Sequence, residues 1–505
     1  MSRITVDIDL NRVEGDLEFQ LDLEDGVVVD ARCIGTLYRG FEQLLIGRAP
    51  RDALVITPRV CGICGTAHLY AATRALEQLA GITPPEHAVH VRNLCLLAET
   101  LQSDLRQTFL FFTPDFCNQN YAGHPLAAEL TQAFAPLKGD VVRGCLKATR
   151  ELIGIVAIFG GQWPHSTYML PGGISQPANH RRILETRDIL VGVRAWFEQT
   201  VLGGNLDDWL ALDNAEALFR WEAAAPARER SALGLFNRFA RDIGLHQLGK
   251  GSSHLLSYGV NHLPDGSGSA WPAGYFNGDT QQVEALDHLQ INEHVRHSWF
   301  LDYPGGRHPW EGETIPDHQP GGDRYTWAKA PRYGDHVVQT GPLAELRIAG
   351  DSLISDLLAS EGDNTWLRQF ARLRRAGRLL TLAVDTLNAL KTVLDQPHII
   401  DPGIDVWPDG ESFGLVEAAR GALGHWLRVK NGVIDKYQIV TPTAWNASPR
   451  DSAGRHGHWE QSIIGLRVPD PDNPVEIGHI VRSHDPCLVC TVHFIGQHKK
   501  RSFNV

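Results

Sequence analysis

Along the chain the spacing of apolar and polar positions changes several times, and each change predicts a different element. Near the start, Leu17, Phe19, Leu21 and Leu23 alternate with more polar neighbours, the period of a half-buried strand. Asp25-Gly26 then supplies a turn ahead of Val27, Val28 and Val29, so the segment reads as a β-hairpin. Farther on, Leu69, Ala72, Leu76 and Leu79 recur at helical spacing, which predicts an amphipathic helix ending near Gly81 and Pro84. Helical spacing returns over Val91 to Phe112 and again over Leu367 to Leu394, a run rich in Leu, Arg and Ala. Gly, Pro, Asp, His and Trp crowd the stretch from Gly266 to Tyr333, predicting long loops with short strands. Trp426 to Val440 reads as β, with Asn431-Gly432 as its turn. No internal repeat or clear linker divides the 505 residues. The fold expected is α+β, predominantly helical, a single large domain spanning 1–505 with an N-terminal β-hairpin region.

Composition narrows the class. The chain is 43% hydrophobic and 21% charged, as soluble globular proteins are. Its best apolar run, Leu152 to Phe159, is about half a membrane-spanning helix or less, so no direct membrane span is expected. The opening MSRITVDIDL lacks the apolar core of a secretory signal. Export would then fall to a partner, and cytoplasmic is the default location, with membrane association only through partners. A net charge of −12 without a broad basic surface argues against nucleic acid as a ligand. Lys499, Lys500 and Arg501 read as a solvated tail.

Eight cysteines in so long a chain do not make a disulfide scaffold. Cys33, Cys95, Cys117 and Cys145 stand alone and read as small buried hydrophobes. The others form two CxxC pairs, Cys61/Cys64 and Cys487/Cys490. A helix starting near Cys64 puts the first two sulfurs at its N-terminus, where N–H groups and the helix dipole favour thiolate. His68, one turn on, can face the same site, and Gly62 and Gly65 let the backbone come close. In the second motif Asp485 precedes the pair and His493 follows it. A structural zinc with four sulfur ligands is the plain alternative. The pairs, however, lie near opposite ends of the chain, and closing such a loop costs roughly 5 kcal/mol of chain entropy. A thioredoxin-like dithiol lacks the βαβ pattern it needs. Pattern alone leaves structural zinc and a soft-metal catalytic site both open. If both pairs serve one buried metal site, the two ends of the chain meet inside one fold.

The motifs carry a resemblance. Arg59 to His68 (RVCGICGTAH) and Asp485 to His493 (DPCLVCTVH) resemble the two signatures of nickel–iron hydrogenase large subunits. Arg12-Val13-Glu14-Gly15, Arg39-Gly40-Phe41-Glu42, Ala330 to Tyr333, Gly341 to Ala344, Glu417 to Trp426 and Pro442 to Asn446 resemble further blocks of that family. The likeness runs from about residue 11 to 493 and is weaker over roughly 175–320. It implies nickel held by four thiolates beside an iron with carbon monoxide and cyanide ligands, a donor set suited to soft metals. By motif position Cys61 and Cys487 are terminal nickel ligands, while Cys64 and Cys490 bridge to iron. Glu14 matches a proton-relay carboxylate, Arg420 a guanidinium above the metals, and Asp485 the carboxylate paired with it. Thr443 matches a hydroxyl donating to a cyanide, and His68 a histidine hydrogen-bonding near a bridging sulfur. Glu42, the carbonyl of Ile439 and His493 match ligands of a magnesium ion.

Several positions depart from the family's commonest pattern. Asp16 stands where histidine is usual, and Ala419 replaces a proline, which changes the packing around one cyanide. Gln102-Ser103-Asp104 replaces an aspartate–histidine stretch near the arginine, with Asp104 a candidate substitute. Gln339 replaces a glutamate near the implied magnesium. These differences resemble the uptake and sensory branch. Residues 494–505 resemble a C-terminal maturation tail that a specific protease removes after nickel-insertion proteins have acted. The function implied is reversible heterolytic cleavage of H2 to protons and electrons, in the uptake direction, with Glu14, Arg420 and Cys487 handling the proton. No cysteines remain for iron–sulfur clusters, so a small subunit carrying them is implied. The rivals are an H2 sensor with slow turnover, a non-catalytic zinc protein, and a quinone-reductase relative that the four cysteines argue against.

Overall fold

The N-terminal alternation folds as the pattern predicts. The computed structural model describes residues 3–319, 321–401, 403–404 and 406–487. Strands β1 (Arg3–Asp9), β2 (Leu17–Glu24) and β3 (Val27–Gly35) form an antiparallel meander in that order. Leu17, Phe19, Leu21 and Leu23 are buried. Asp25 and Gly26 take left-handed φ values of 50° and 77°, as a tight hairpin between right-twisted strands requires. The apolar face of this meander packs with Trp459, Ile463, Ile477 and Ile480, so both ends of the chain share one core.

The helical runs build the second layer. Helix α1 (Gly65–Ala80) ends at Gly81 in the left-handed conformation, and α2 (Glu86–Arg106) follows almost at once. Helix α2 packs on α3 (Asp140–Gly160) and on α5 (Thr365–Thr392), and α4 (His180–Trp196) packs on the same two. Every residue of α2 from His87 to Leu105 is buried, so this helix runs through the middle of the molecule rather than along its surface. The apolar run of Leu152 to Phe159 lies within α3, and among the described residues no helix is long and apolar enough to cross a membrane. The stretch predicted as loops holds short strands, among them Ser269–Trp271 and Ile291–His294.

A second meander closes over α1. Strands β4 (Gly410–Ala418), β5 (Gly421–Lys430) and β6 (Val433–Val440) pair in order, with Asn431 and Gly432 at left-handed φ between the last two. A Cβ at Gly414 would lie 1.9 Å from the carbonyl oxygen of Ala71, so only glycine lets β4 lie this close to α1. The pairing of Ala418 with Gly421 leaves Ala419-Arg420 as a two-residue turn. Helix α6 (Val475–Ser483) then delivers the chain to Asp485 and Cys487.

Candidate metal centre

Three of the four motif cysteines lie among the described residues, and all three are buried. Cys61 sits in the turn before α1 and Cys64 is the N-cap of that helix. Cys487 arrives from the other end of the chain. Its neighbour Pro486 accepts a hydrogen bond from the Glu14 N–H at 3.2 Å, and its own N–H donates to Thr443 Oγ1 at 3.2 Å. These bonds bring Cys61 Sγ and Cys487 Sγ to 3.5 Å. Cys490, His493 and the tail lie outside the described residues.

The helix N-terminus is used differently from the sequence expectation. The Ile63 N–H donates to Cys61 Sγ at 3.3 Å. The first-turn N–H groups of Thr66 and Ala67 donate instead to the carboxylate of Glu99 on α2, at 3.1 and 3.2 Å. Part of the helix field therefore ends on a buried carboxylate rather than on the Cys64 sulfur. A Cβ at Gly65 would come within 3.0 Å of the Pro58 carbonyl oxygen, so this glycine makes room for backbone. His68 lies beside the cysteines, its Nδ1 3.0 Å from His425 Nε2, and His425 Nδ1 lies 2.8 Å from the Tyr437 hydroxyl. Burial pushes His68 down to about 4 against the opposing pull of Cys61, and burial holds His425 well below the usual histidine range. Both rings are neutral at pH 7.

Arg420 occupies the tip of the β4–β5 turn and is buried, not set on a charged surface helix. Its Nη2 lies 3.1 Å from Asp485 Oδ1, and its Nε donates to the Asp485 carbonyl at 3.1 Å. Asp485 takes a left-handed φ of 59°, which turns the chain back after α6. Burial alone would lower the Arg420 pKa, but Asp485, Cys487, Cys61 and Cys64 together hold it well above its ordinary value. Among the described residues, Arg420 Nη1 has no hydrogen-bond partner. Asp104 does not contact Arg420. It pairs with Arg375 (Nε to Oδ2, 2.9 Å) and with Arg372 (3.2 Å), and Arg372 lies 3.6 Å from Asp485 Oδ2. Arg375 also bonds Glu345 and the carbonyl of Ala419, which holds the turn that presents Arg420.

Glu14 is half-buried, and burial and Cys61 raise its carboxyl while Arg420 and Arg39 pull it down. Glu42 and Ile439 are together, but the contact between them is the Ile439 N–H donating to Glu42 Oε1 at 2.8 Å. The Lys329 ammonium lies 3.3 Å from the same oxygen, 2.7 Å from Glu293 Oε2 and 2.7 Å from Gln438 Oε1. Glu42, Glu293, Lys329 and Ile439 line a cavity of about 50 Å³. Among the described residues Glu42 therefore faces the Lys329 ammonium, and His493, the third residue expected at the magnesium, lies outside them. Gln339 is elsewhere: with its amide nitrogen turned toward them, it faces Asp363 Oδ2 at 3.1 Å and His458 Nε2 at 3.2 Å. His254, Asp279 and His336 also converge. The Gly278 N–H donates to His254 Nδ1, however, which leaves the ring proton on Nε2 and no free lone pair there.

The model of the nickel-dependent hydrogenase family matches residues 39–135 and 238–493. The chain belongs to this family. It is 32% identical to the large subunit of the periplasmic [NiFeSe] hydrogenase of Desulfomicrobium baculatum, over 98% of this chain and 95% of that one. Identity to the uptake hydrogenase large subunit of Rhodobacter capsulatus is 29%, over 97% and 95%. The fold superposes on the reduced Ni-Fe-Se hydrogenase of D. vulgaris Hildenborough with a TM-score of 0.83 at 30% identity, covering 97% of this chain and 100% of that one.

In this hydrogenase the gap in the family match, 136–237, overlaps the weak stretch of the resemblance and covers α3 and α4. Sequence reasoning assigned no role to Glu99, His425, Arg372, Arg375 or Lys329. A signal for two of them was present. Arg368, Arg372, Arg374 and Arg375 crowd the first half of an apolar helical run, and all four are buried. Glu99 had no such signal, because it is one carboxylate within α2.

Proposed function

We propose that this chain is the catalytic subunit of an H2-oxidising hydrogenase, with Cys61, Cys64, Cys487 and Cys490 as the metal ligands. The observation that carries the reading is the 3.5 Å approach of Cys61 Sγ to Cys487 Sγ beneath the buried Arg420–Asp485 pair. Two buried sulfurs this close suit a shared soft metal ion, which they would hold as thiolates. Among the described residues Arg420 Nη1 has no hydrogen-bond partner, which suits a guanidinium edge turned toward a metal group. The nickel–iron group, with carbon monoxide and cyanide on iron, supplies the Lewis acid and the redox change when bound.

The protein's own residues handle the proton. Arg420 presents a fixed positive N–H edge toward the sulfurs, which polarises H2 and disperses the charge that develops as the bond breaks. The leaving proton passes to the Cys487 thiolate, because a guanidinium held positive has no lone pair to accept it. Glu14, joined to this segment by its backbone bond to Pro486 and lifted toward neutrality by burial and Cys61, accepts the proton next and carries it outward. Thr443 holds the Cys487 backbone and turns its hydroxyl hydrogen elsewhere, in keeping with a bond to a cyanide. Ala419 would pack around one cyanide. Electrons leave through a small subunit carrying iron–sulfur clusters. Glu42, the Ile439 carbonyl and His493 would hold a magnesium ion, with Lys329 beside Glu42 as a second positive charge.

Maturation by nickel insertion and removal of 494–505, and a cytoplasmic location, belong to the same reading. The test is an infrared spectrum of the anaerobically purified heterodimer together with H2-dependent dye reduction. One carbonyl band, two cyanide bands and fast turnover support the uptake enzyme. The same bands with very slow turnover favour a sensor, and zinc without bands in tail-free protein defeats the ligand assignment.

A further inference from the structure

Glu99 is buried in the middle of α2, yet its carboxylate ends at the start of α1. Its Oε2 accepts from the Thr66 N–H and from the Trp163 indole N–H, each at 3.1 Å, and its Oε1 accepts from the Ala67 N–H at 3.2 Å. Thr66 and Ala67 follow Cys64 across the single residue Gly65, in the first turn of the helix that Cys64 caps. On the other side of the Cys61–Cys64 loop, the Arg39 guanidinium bonds the carbonyl of Val60. The loop is thus clamped at one end by Arg39 and at the other by Glu99. Without Glu99, two buried backbone N–H groups and the half-buried Trp163 indole N–H would lose their acceptor, and the first turn of α1 would have to shift to satisfy them.

We propose that Glu99 is a positioning residue for the metal centre, fixing where the Cys61–Cys64 loop presents its sulfurs. This rests on the reading of Cys61 and Cys64 as nickel ligands. Glu99 touches neither cysteine. It acts through the backbone of Thr66 and Ala67, and burial, opposed by these donors, pushes its carboxyl up to about 7. Alanine removes every acceptor, while aspartate keeps the carboxylate on a stem one methylene shorter.

The experiment compares the matured heterodimer carrying Glu99→Ala, Glu99→Asp, Trp163→Phe or the distant core change Leu152→Ala. The readouts are nickel per chain, the nickel g-values in electron paramagnetic resonance, and Tm. For Glu99→Ala the expected result is displaced g-values and a fall in nickel of about tenfold, with Glu99→Asp restoring part of both. Leu152→Ala should lower Tm and leave the g-values in place, which separates positioning from simple destabilisation. Parental nickel content and g-values in Glu99→Ala would overturn the proposal. If that variant fails to fold, Trp163→Phe decides: a smaller displacement supports the role and unchanged g-values overturn it. A parent enzyme without any nickel signal would overturn the ligand assignment itself, and this role with it.

Discussion

Two sets of buried polar residues surround the Cys61–Cys487 pair, and they follow opposite electrical plans. His68, His425 and Tyr437 form a column of neutral rings joined by hydrogen bonds. Arg420, Asp485, Arg372, Asp104, Arg375, Glu345 and Glu417 form a lattice of charges. Three guanidiniums face four carboxyls there. Burial and the nearness of Glu345 push Glu417 far above the usual carboxylate range, so the Glu345–Glu417 pair keeps a proton and the lattice balances. The neutral column can fix geometry near the sulfurs without adding charge. The lattice fixes one particular charge, Arg420, at the cost of burying six partners with it. A buried ion network is weak evidence for stability, but breaking one member of it is costly. The difference suggests that the column sets ligand orientation and the lattice sets the proton chemistry.

Predictions follow from trying to break each half. The largest effect belongs to the sulfurs that both halves serve. Cys61→Ser should lose nickel and reduce H2 oxidation by more than about a hundredfold, since even residues behind a metal ligand cost up to that much. Metal analysis of the purified heterodimer checks it, and full nickel content would remove Cys61 from the ligand set. Next is Arg420→Lys, which keeps the charge but loses the planar fork that Asp485 holds. Turnover should fall about 10²- to 10³-fold with nickel content unchanged, measured as kcat beside metal content. An equal loss of nickel would make Arg420 a structural residue.

Asp104→Asn leaves Arg375 and Arg372 short of a buried counter-charge. Unfolding stability should drop by about 3–5 kcal/mol in denaturant titration, while a loss under 1 kcal/mol, within about the range of surface pairs, would show that the lattice is wet. The neutral column predicts acid sensitivity. The folded-state pKa of His68 is lowered from 6.5 to about 4, so below 6.5 the unfolded chain takes up a proton that the folded chain refuses. Stability should therefore fall as pH drops from 6.5 toward 4, by roughly 3 kcal/mol for this ring. Denaturation midpoints at pH 7 and pH 5 test it, and His68→Gln should flatten the slope. The smallest effect is Thr443→Val, which removes the acceptor for the Cys487 N–H and should cost about 1 kcal/mol, read as a modest shift in Tm.

Much of this was legible from the sequence. Local periodicity gave β2, β3, α1, α2, α5 and the hairpin at Asn431-Gly432, because strand alternation and helical spacing are properties of neighbours along the chain. Strand β4 was missed, since its inner end from Leu415 to Ala418 is buried on both faces and shows no alternation. The motifs also named the residues at the centre: Cys61, Cys64 and Cys487, with Arg420, Asp485, Thr443 and Glu14 around them. What a linear motif could not give was who partners whom. Nothing in the spacing tells that Glu99 caps α1, that Asp104 serves Arg375 instead of Arg420, or that Lys329 sits against Glu42. Side-chain chemistry and short-range pattern are written in the order of residues. Burial, and the choice of partner for each buried charge, depend on segments hundreds of positions apart packing together, and only the tertiary structure decides that.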